Sequence, residues 1–152
     1  MSSSAGSPDF NDLVRERMNL TPYLASIGGE MIELSEARAR VRLPYGPHLV
    51  GDPRTGVVHG GVVTGILDHT AGMAVFGKLR RPVPIATLDL RIDYMKPATL
   101  GEAIVADVTC LKVTHDIAFV RGAAYHADPA DAIALCTGAF ILIRGGVSPG
   151  IP

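Results

Sequence analysis

The chain has only two cysteines, no run of basic residues, no secretory start and no apolar stretch long enough to cross a bilayer. Each absence closes a class. Cys110 and Cys136 stand far from each other and from any histidine at metal-site spacing. Reduced core thiols are therefore expected, in place of a disulfide or a zinc site, as in a cytoplasmic protein. The 14 basic residues are spread along the sequence and the net charge is −1, which offers no footprint for nucleic acid or for an anionic membrane surface. The opening MSSSAGSPDF has neither the basic start nor the apolar centre of a signal peptide, and no export is expected.

What is present fits one domain. At 152 residues, 47% apolar and 19% charged, the chain is long enough for one proper core and too short for two. Residues 1–7 are small and polar and are expected to form a disordered tail, residues 8–144 the domain, and residues 145–152 a second tail. Phe10, Leu13, Val14 and Met18 recur at helical spacing, and Thr21-Pro22 reads as the N-cap and first residue of a second short helix that Gly28 stops. Residues 37–43, ARARVRL, alternate strictly. Arg38, Arg40 and Arg42 share one face and Ala37, Ala39, Val41 and Leu43 the other, a half-buried strand that residues 27–34 join as a hairpin. The arginine row is read as a solvated face, not a phosphate site. Residues 44–58, rich in Gly and Pro, form a loop.

Further on, residues 85–96 set Ala86, Leu88, Leu90, Ile92 and Tyr94 against Thr87, Asp89, Arg91 and Asp93, which predicts that the first set packs inward. Residues 103–113 place Ile104, Ala106, Val108 and Cys110 on one face, and residues 117–126 follow as another strand. Residues 132–143 are apolar on both faces, as in a covered central strand. The order, without any βαβ alternation, predicts an α+β fold with an antiparallel sheet around one helix. One polar face and an unpaired edge stay open, and both favour pairing with a second copy.

That helix is residues 59–77, HGGVVTGILDHTAGMAVFG, apolar on every side except for Asp68 and its neighbour His69. A helix of this kind is buried in a protein or in a membrane. Residues 61–77 fall short of the roughly 20 that a bilayer needs, and a central acid would cost ~2.5 kcal/mol or more there, so burial against the sheet is expected. At about 100° per residue, Gly61, Gly65, Asp68 and Gly72 fall on one stripe, so the carboxylate sits where glycines leave room. Room beside a buried acid suggests a ligand.

His59-Gly60-Gly61, Leu67-Asp68, Gly72, Thr87-Leu88-Asp89-Leu90 and Tyr94-Met95-Lys96-Pro97-Ala98 together resemble the hotdog-fold acyl-CoA thioesterases of the phenylacetate-pathway (PaaI-like) type. The likeness covers residues 30–143. It implies a sheet wrapped around the central helix, homodimers that commonly pair into tetramers, and an active site between subunits. The implied reaction hydrolyses an acyl- or aryl-CoA thioester to the free acid and CoA, with no metal and no redox cofactor. Thioester hydrolysis needs a base or nucleophile near the carbonyl carbon and donors where the carbonyl oxygen gathers charge. Asp68 suits the first need. The backbone N–H groups of Gly60 and Gly61, at the open end of the helix, suit the second.

The resemblance places Asp68 as general base or nucleophile, a Gly60 N–H in the oxyanion role, Thr87 where the family often holds the attacking water, and His59 in support. It also carries a departure. The family often has an Asn or similar residue about six positions before the HGG histidine; Pro53 stands there, and Asp52 is the nearest polar candidate. Lys96 and Arg91 are candidates for the CoA phosphates, and Val63 and Thr64, with Val62, Ile66 and Met73, for the acyl group. His69 points about 100° away from Asp68 on a helix, which speaks against a dyad between them. His115 and His126 stand alone and read as structural. Two alternatives remain: a non-catalytic acyl-CoA-binding hotdog protein, and a hotdog hydratase or dehydratase that would use a histidine with an acid.

Overall fold

The computed structural model describes residues 9–19, 21–81 and 83–145. The expected tails at residues 1–7 and 145–152 lie outside these, save Gly145. Two short helices come first, α1 (Phe10–Asn19) and α2 (Pro22–Ile27). Pro22 fits the first turn of α2 because that position has no intrahelical acceptor for an N–H, and Gly28 ends the helix at φ 76°. This stop keeps Ile27 and Gly28 out of the following hairpin, so β1 (Glu30–Leu34) is shorter than expected; it pairs antiparallel with β2 (Arg38–Leu43).

Residues 44–58 hold more than a loop. A 3-10 turn at Pro47–Leu49 leads into a two-stranded ribbon of β3 (Val50–Asp52) and β4 (Val57–Val58). The long helix α3 (Gly60–Leu79) follows, and then β5 (Ile85–Tyr94), β6 (Ile104–Val113), β7 (Ile117–Tyr125) and β8 (Ala134–Leu142). The main sheet has six strands in the order β1-β2-β6-β7-β8-β5, antiparallel at every pairing. α3 lies across one face of it, mainly over β6, β2 and β7. Ile66, Leu67 and Val75 are fully buried, in one core with Val41, Leu43, Ile104, Val108 and Phe140. Each large side chain so covered contributes roughly 2 kcal/mol of transfer free energy. Thr70, the buried polar residue of α3, donates its hydroxyl to the Ile66 carbonyl at 2.6 Å and so needs no outside partner.

α3 does not stop at Gly77. It runs to Leu79, with Arg80 in the left-handed region at φ 51°. Gly77 instead permits a close approach: a Cβ there would stand 2.5 Å from the Ser35 carbonyl oxygen in the β1–β2 turn. No helix among the described residues is long and apolar enough to cross a membrane.

Two expectations about faces are corrected. The arginine row on β2 is not simply solvated, since Arg38 forks onto Asp107 of β6 at 2.9 and 2.6 Å and Arg40 reaches Glu33 of β1 at 3.1 Å. Burial raises the Asp107 carboxyl, but hydrogen bonds from Arg38 and Tyr125 outweigh it and hold the group below the ordinary range. β8 is central yet uncovered on its outer side, where Leu135 is 42% exposed. Cys110 and Cys136 are free, buried thiols, and burial pushes Cys136 up to about 11.

The third correction concerns β5 and positions the site. Strict alternation put Thr87 and Asp89 on the outer face, but the register against β8 slips between them: Thr87 faces Phe140 and Asp89 faces Ala139, so Leu88 is an extra residue, a β-bulge. A bulge reverses the phase of everything on one side of it. Ile85 and Thr87 therefore share the inward face with Leu90, Ile92 and Tyr94, while Leu88 is left 55% exposed.

Candidate active site

β5 lies along α3 with Thr87 beside Asp68 and Tyr94 beside Gly60, so strand and helix run in opposite directions. The bulge at Leu88 lets the Thr87 hydroxyl donate to Asp68 Oδ1 at 2.8 Å. Asp68 is half-buried on α3, and β5 is the edge of the sheet, so the carboxylate looks out along an open border.

The second feature is the start of α3. His59 is the N-cap, in extended conformation, and its Nδ1 accepts the Gly61 N–H at 2.9 Å. That bond occupies one of the two backbone donors singled out from the sequence. The Gly60 N–H has no hydrogen-bond partner among the described residues and is exposed. Tyr94 closes over the same turn: its hydroxyl donates to the Gly60 carbonyl at 2.8 Å and touches the Thr64 hydroxyl, which itself reaches that carbonyl at 3.3 Å. A cleft of about 460 Å³ opens here, lined by Gly60, Val63, Tyr94, Lys96 and Ile133 among others. A free N–H at a helix N-terminus, on a residue that lines a cleft, is a place for a partial negative charge.

The region that holds His59, Gly60, Asp68, Thr87 and Tyr94 is matched by the thioesterase superfamily profile, over residues 55–133. The chain belongs to the thioesterase superfamily. A Halobacterium salinarum protein that carries a provisional name as an esterase is 32% identical over 144 residues, covering 90% of this chain and 94% of its own. The medium/long-chain acyl-CoA thioesterase YigI of Escherichia coli is 27% identical over 113 residues, 66% of this chain and 72% of its own. Among solved structures, a mutant form of the phenylacetic acid degradation protein PaaI of Thermus thermophilus matches with a TM-score of 0.71, covering 81% of this chain and 100% of its own at 20% identity. It shares the hotdog fold, an antiparallel sheet around a long helix.

Within this superfamily member the other sequence candidates divide. Val63 is 2% exposed in the cleft wall, and Thr64 is engaged at the Gly60 turn. Lys96 lines the cleft, with its ammonium paired to Asp131. Arg91 lies on the outer face of β5, paired with Asp93 at 3.0 Å, away from the helix. Asp52 is bound up in the ribbon turn: Arg54 meets it through its backbone N–H at 3.0 Å and its guanidinium at 3.2 and 3.0 Å, and these bonds hold its carboxyl below the ordinary range.

His69 makes no hydrogen bond to Asp68 among the described residues, and its buried Nε2 has no partner there. Burial pushes its imidazole down, against the adjacent Asp68 charge. His126 is structural, accepting the Thr99 N–H at 2.8 Å and meeting the Ala103 carbonyl at 2.8 Å. His115 is an exposed turn residue beside Asp116. Tyr94 was missed as a site residue. In the sequence it is one more apolar position of an alternating strand, and the contact that gives it a role comes from 34 residues earlier.

Proposed function

We propose that this chain is a cytoplasmic acyl-CoA thioesterase that works as at least a homodimer, commonly a dimer of dimers, with no metal and no redox cofactor. The observation that carries the reading is the Asp68 carboxylate, held at 2.8 Å by Thr87 on the open border between α3 and β5. The thioesterase name of the YigI relative supplies the acyl-CoA. Asp68 takes a proton from water as the water oxygen bonds to the thioester carbonyl carbon. The carbonyl electron pair moves onto oxygen, where a Gly60 N–H meets it. Collapse of that tetrahedral centre breaks the carbon–sulfur bond, and the proton passes to the departing CoA thiolate. Thr87 fixes one carboxylate oxygen and leaves the other for the water.

One chain does not bring these groups together. Eight residues of helix set Gly60 and Asp68 about 12 Å apart along the axis, and the backward lean of the aspartate side chain recovers only part of that. A carbonyl held by a donor on its oxygen and attacked at carbon by a water resting on a carboxylate spans about 10 Å at most, and the Gly60 N–H points toward the start of the helix, away from Asp68. A second copy resolves the mismatch. Two β5 edges paired antiparallel about a two-fold axis near Leu90 and Arg91 would set the Tyr94 end of one strand against the Thr87 end of the other. Each Gly60 then faces the other chain's Asp68. Exposed Leu88, Tyr94 and Met95, at 55%, 52% and 60%, mark this border as one that gains from cover.

Two measurements test the reading. Free-thiol release from a panel of aryl-, short- and long-chain acyl-CoAs is expected for at least one member, and silence across the panel would leave the binding-protein alternative. Light scattering at micromolar concentration is expected to return a dimer or larger, and a monomer would remove the shared site.

A further inference from the structure

We infer that Tyr23 sets the size of the acyl group admitted beside Asp68; the inference rests on the thioesterase reading above. Tyr23 belongs to α2 and lays the end of its ring directly on Gly65 of α3. A Cβ at Gly65 would overlap the Tyr23 hydroxyl oxygen and stand 2.8 Å from its Cζ. The recess at Gly65 and the ring are therefore complementary, and only glycine leaves the ring in place. Gly65 and Asp68 are three residues apart on one helix face, so their surfaces adjoin.

The other end of the same stripe is closed. Gly72 is buried, with Ile85 Cδ1 at 3.6 Å and Phe140 Cε1 at 3.9 Å from where its Cβ would stand; Phe140 is a core side chain and Ile85 is partly buried against the core. An acyl group whose carbonyl lies at Asp68 is thus turned away from Gly72 and toward Gly65. There it meets Tyr23. The ring is 45% exposed, and its hydroxyl has no hydrogen-bond partner among the described residues, so packing alone holds it. A wall made by one ring admits compact acyl groups and resists long ones. Its removal uncovers the helix face at Gly65, toward the helix start.

The test uses purified full-length protein and straight-chain acyl-CoAs from butyryl to palmitoyl. Tyr23→Ala is expected to raise the ratio of kcat/KM for palmitoyl-CoA over butyryl-CoA by roughly ten-fold or more, since pocket discrimination per methylene is already of that order. Tyr23→Leu should give a smaller rise, and it keeps the test available if the alanine protein folds poorly. Tyr23→Phe retains the ring and should retain the wild-type ratio. A ratio that stays within two-fold in the alanine and leucine proteins, while they hydrolyse butyryl-CoA, overturns the inference and leaves the thioesterase reading standing. A wild-type protein that releases no thiol overturns that reading first, and this inference with it.

Discussion

A Gly60→Pro protein is expected to fold normally and to hydrolyse acyl-CoA about 100- to 1,000-fold more slowly than wild type, the range typical for loss of one oxyanion donor. The substitution replaces the hydrogen of the backbone N–H that has no partner among the described residues with the ring Cδ. Gly60 is the first residue of α3 and has negative φ, the position where proline fits a helix because no intrahelical hydrogen bond is lost. His59 before it sits at ψ 132°, in the extended region that a following proline requires. A Cβ at Gly60 would meet Tyr94 Cε1 at 3.5 Å, ordinary contact, so the cleft need not rearrange. Gly60→Ala is the control for the added Cβ, since it brings that carbon and keeps the N–H. Melting temperature and kcat for the pair, measured on one substrate, separate chemistry from folding. A folded proline protein with near-normal turnover would remove Gly60 from the mechanism.

The sequence carried the architecture because its periods are strong. Ala39, Val41 and Leu43 alternate with three arginines, and residues 61–77 are too uniformly apolar to be anything but buried; both segments fold as that pattern requires. What escaped was whatever depends on one residue or on a distant partner. In Thr87-Leu88-Asp89-Leu90 the apolar and polar positions alternate perfectly, so nothing in the pattern betrays an extra residue, yet the bulge reverses Thr87 and hands its hydroxyl to Asp68. The alternation turned Thr87 outward, and the register turns it toward Asp68. Likewise the HGG triplet offers two N–H donors on paper, but His59 consumes the Gly61 donor with its own ring. Tyr23 and Tyr94 reach α3 from elements 42 and 34 residues distant from Gly65 and Gly60, a relation that no local periodicity encodes. Asp52 is engaged by Arg54, two residues on, within its own turn, a local pairing that the sequence spacing alone does not announce.

The Asp68→Asn protein tests the other half of the site. Asparagine keeps shape and volume, and its side-chain carbonyl can still accept the Thr87 hydroxyl, but it neither carries the charge nor takes a proton; turnover should fall by roughly 100-fold or more with substrate binding retained. His69→Asn, facing elsewhere with no bond to Asp68, should cost far less. A larger loss in the His69 protein, with the fold intact by circular dichroism, would favour the hydratase-like alternative. The two inactive chains then answer where the site lies. In a randomly mixed population of Asp68→Asn and Gly60→Pro chains about half the dimers are mixed, and in each of those one site joins an intact Gly60 to an intact Asp68 while the other is doubly broken. Mixing after partial unfolding and refolding should therefore restore roughly a quarter of wild-type activity from two nearly silent proteins. If both groups served one site within a single chain, every site would keep one defect and mixing would restore nothing. That outcome would require Gly60 and Asp68 of one helix to meet across about 12 Å of rise, so recovery or its absence decides the proposed dimer mechanism directly.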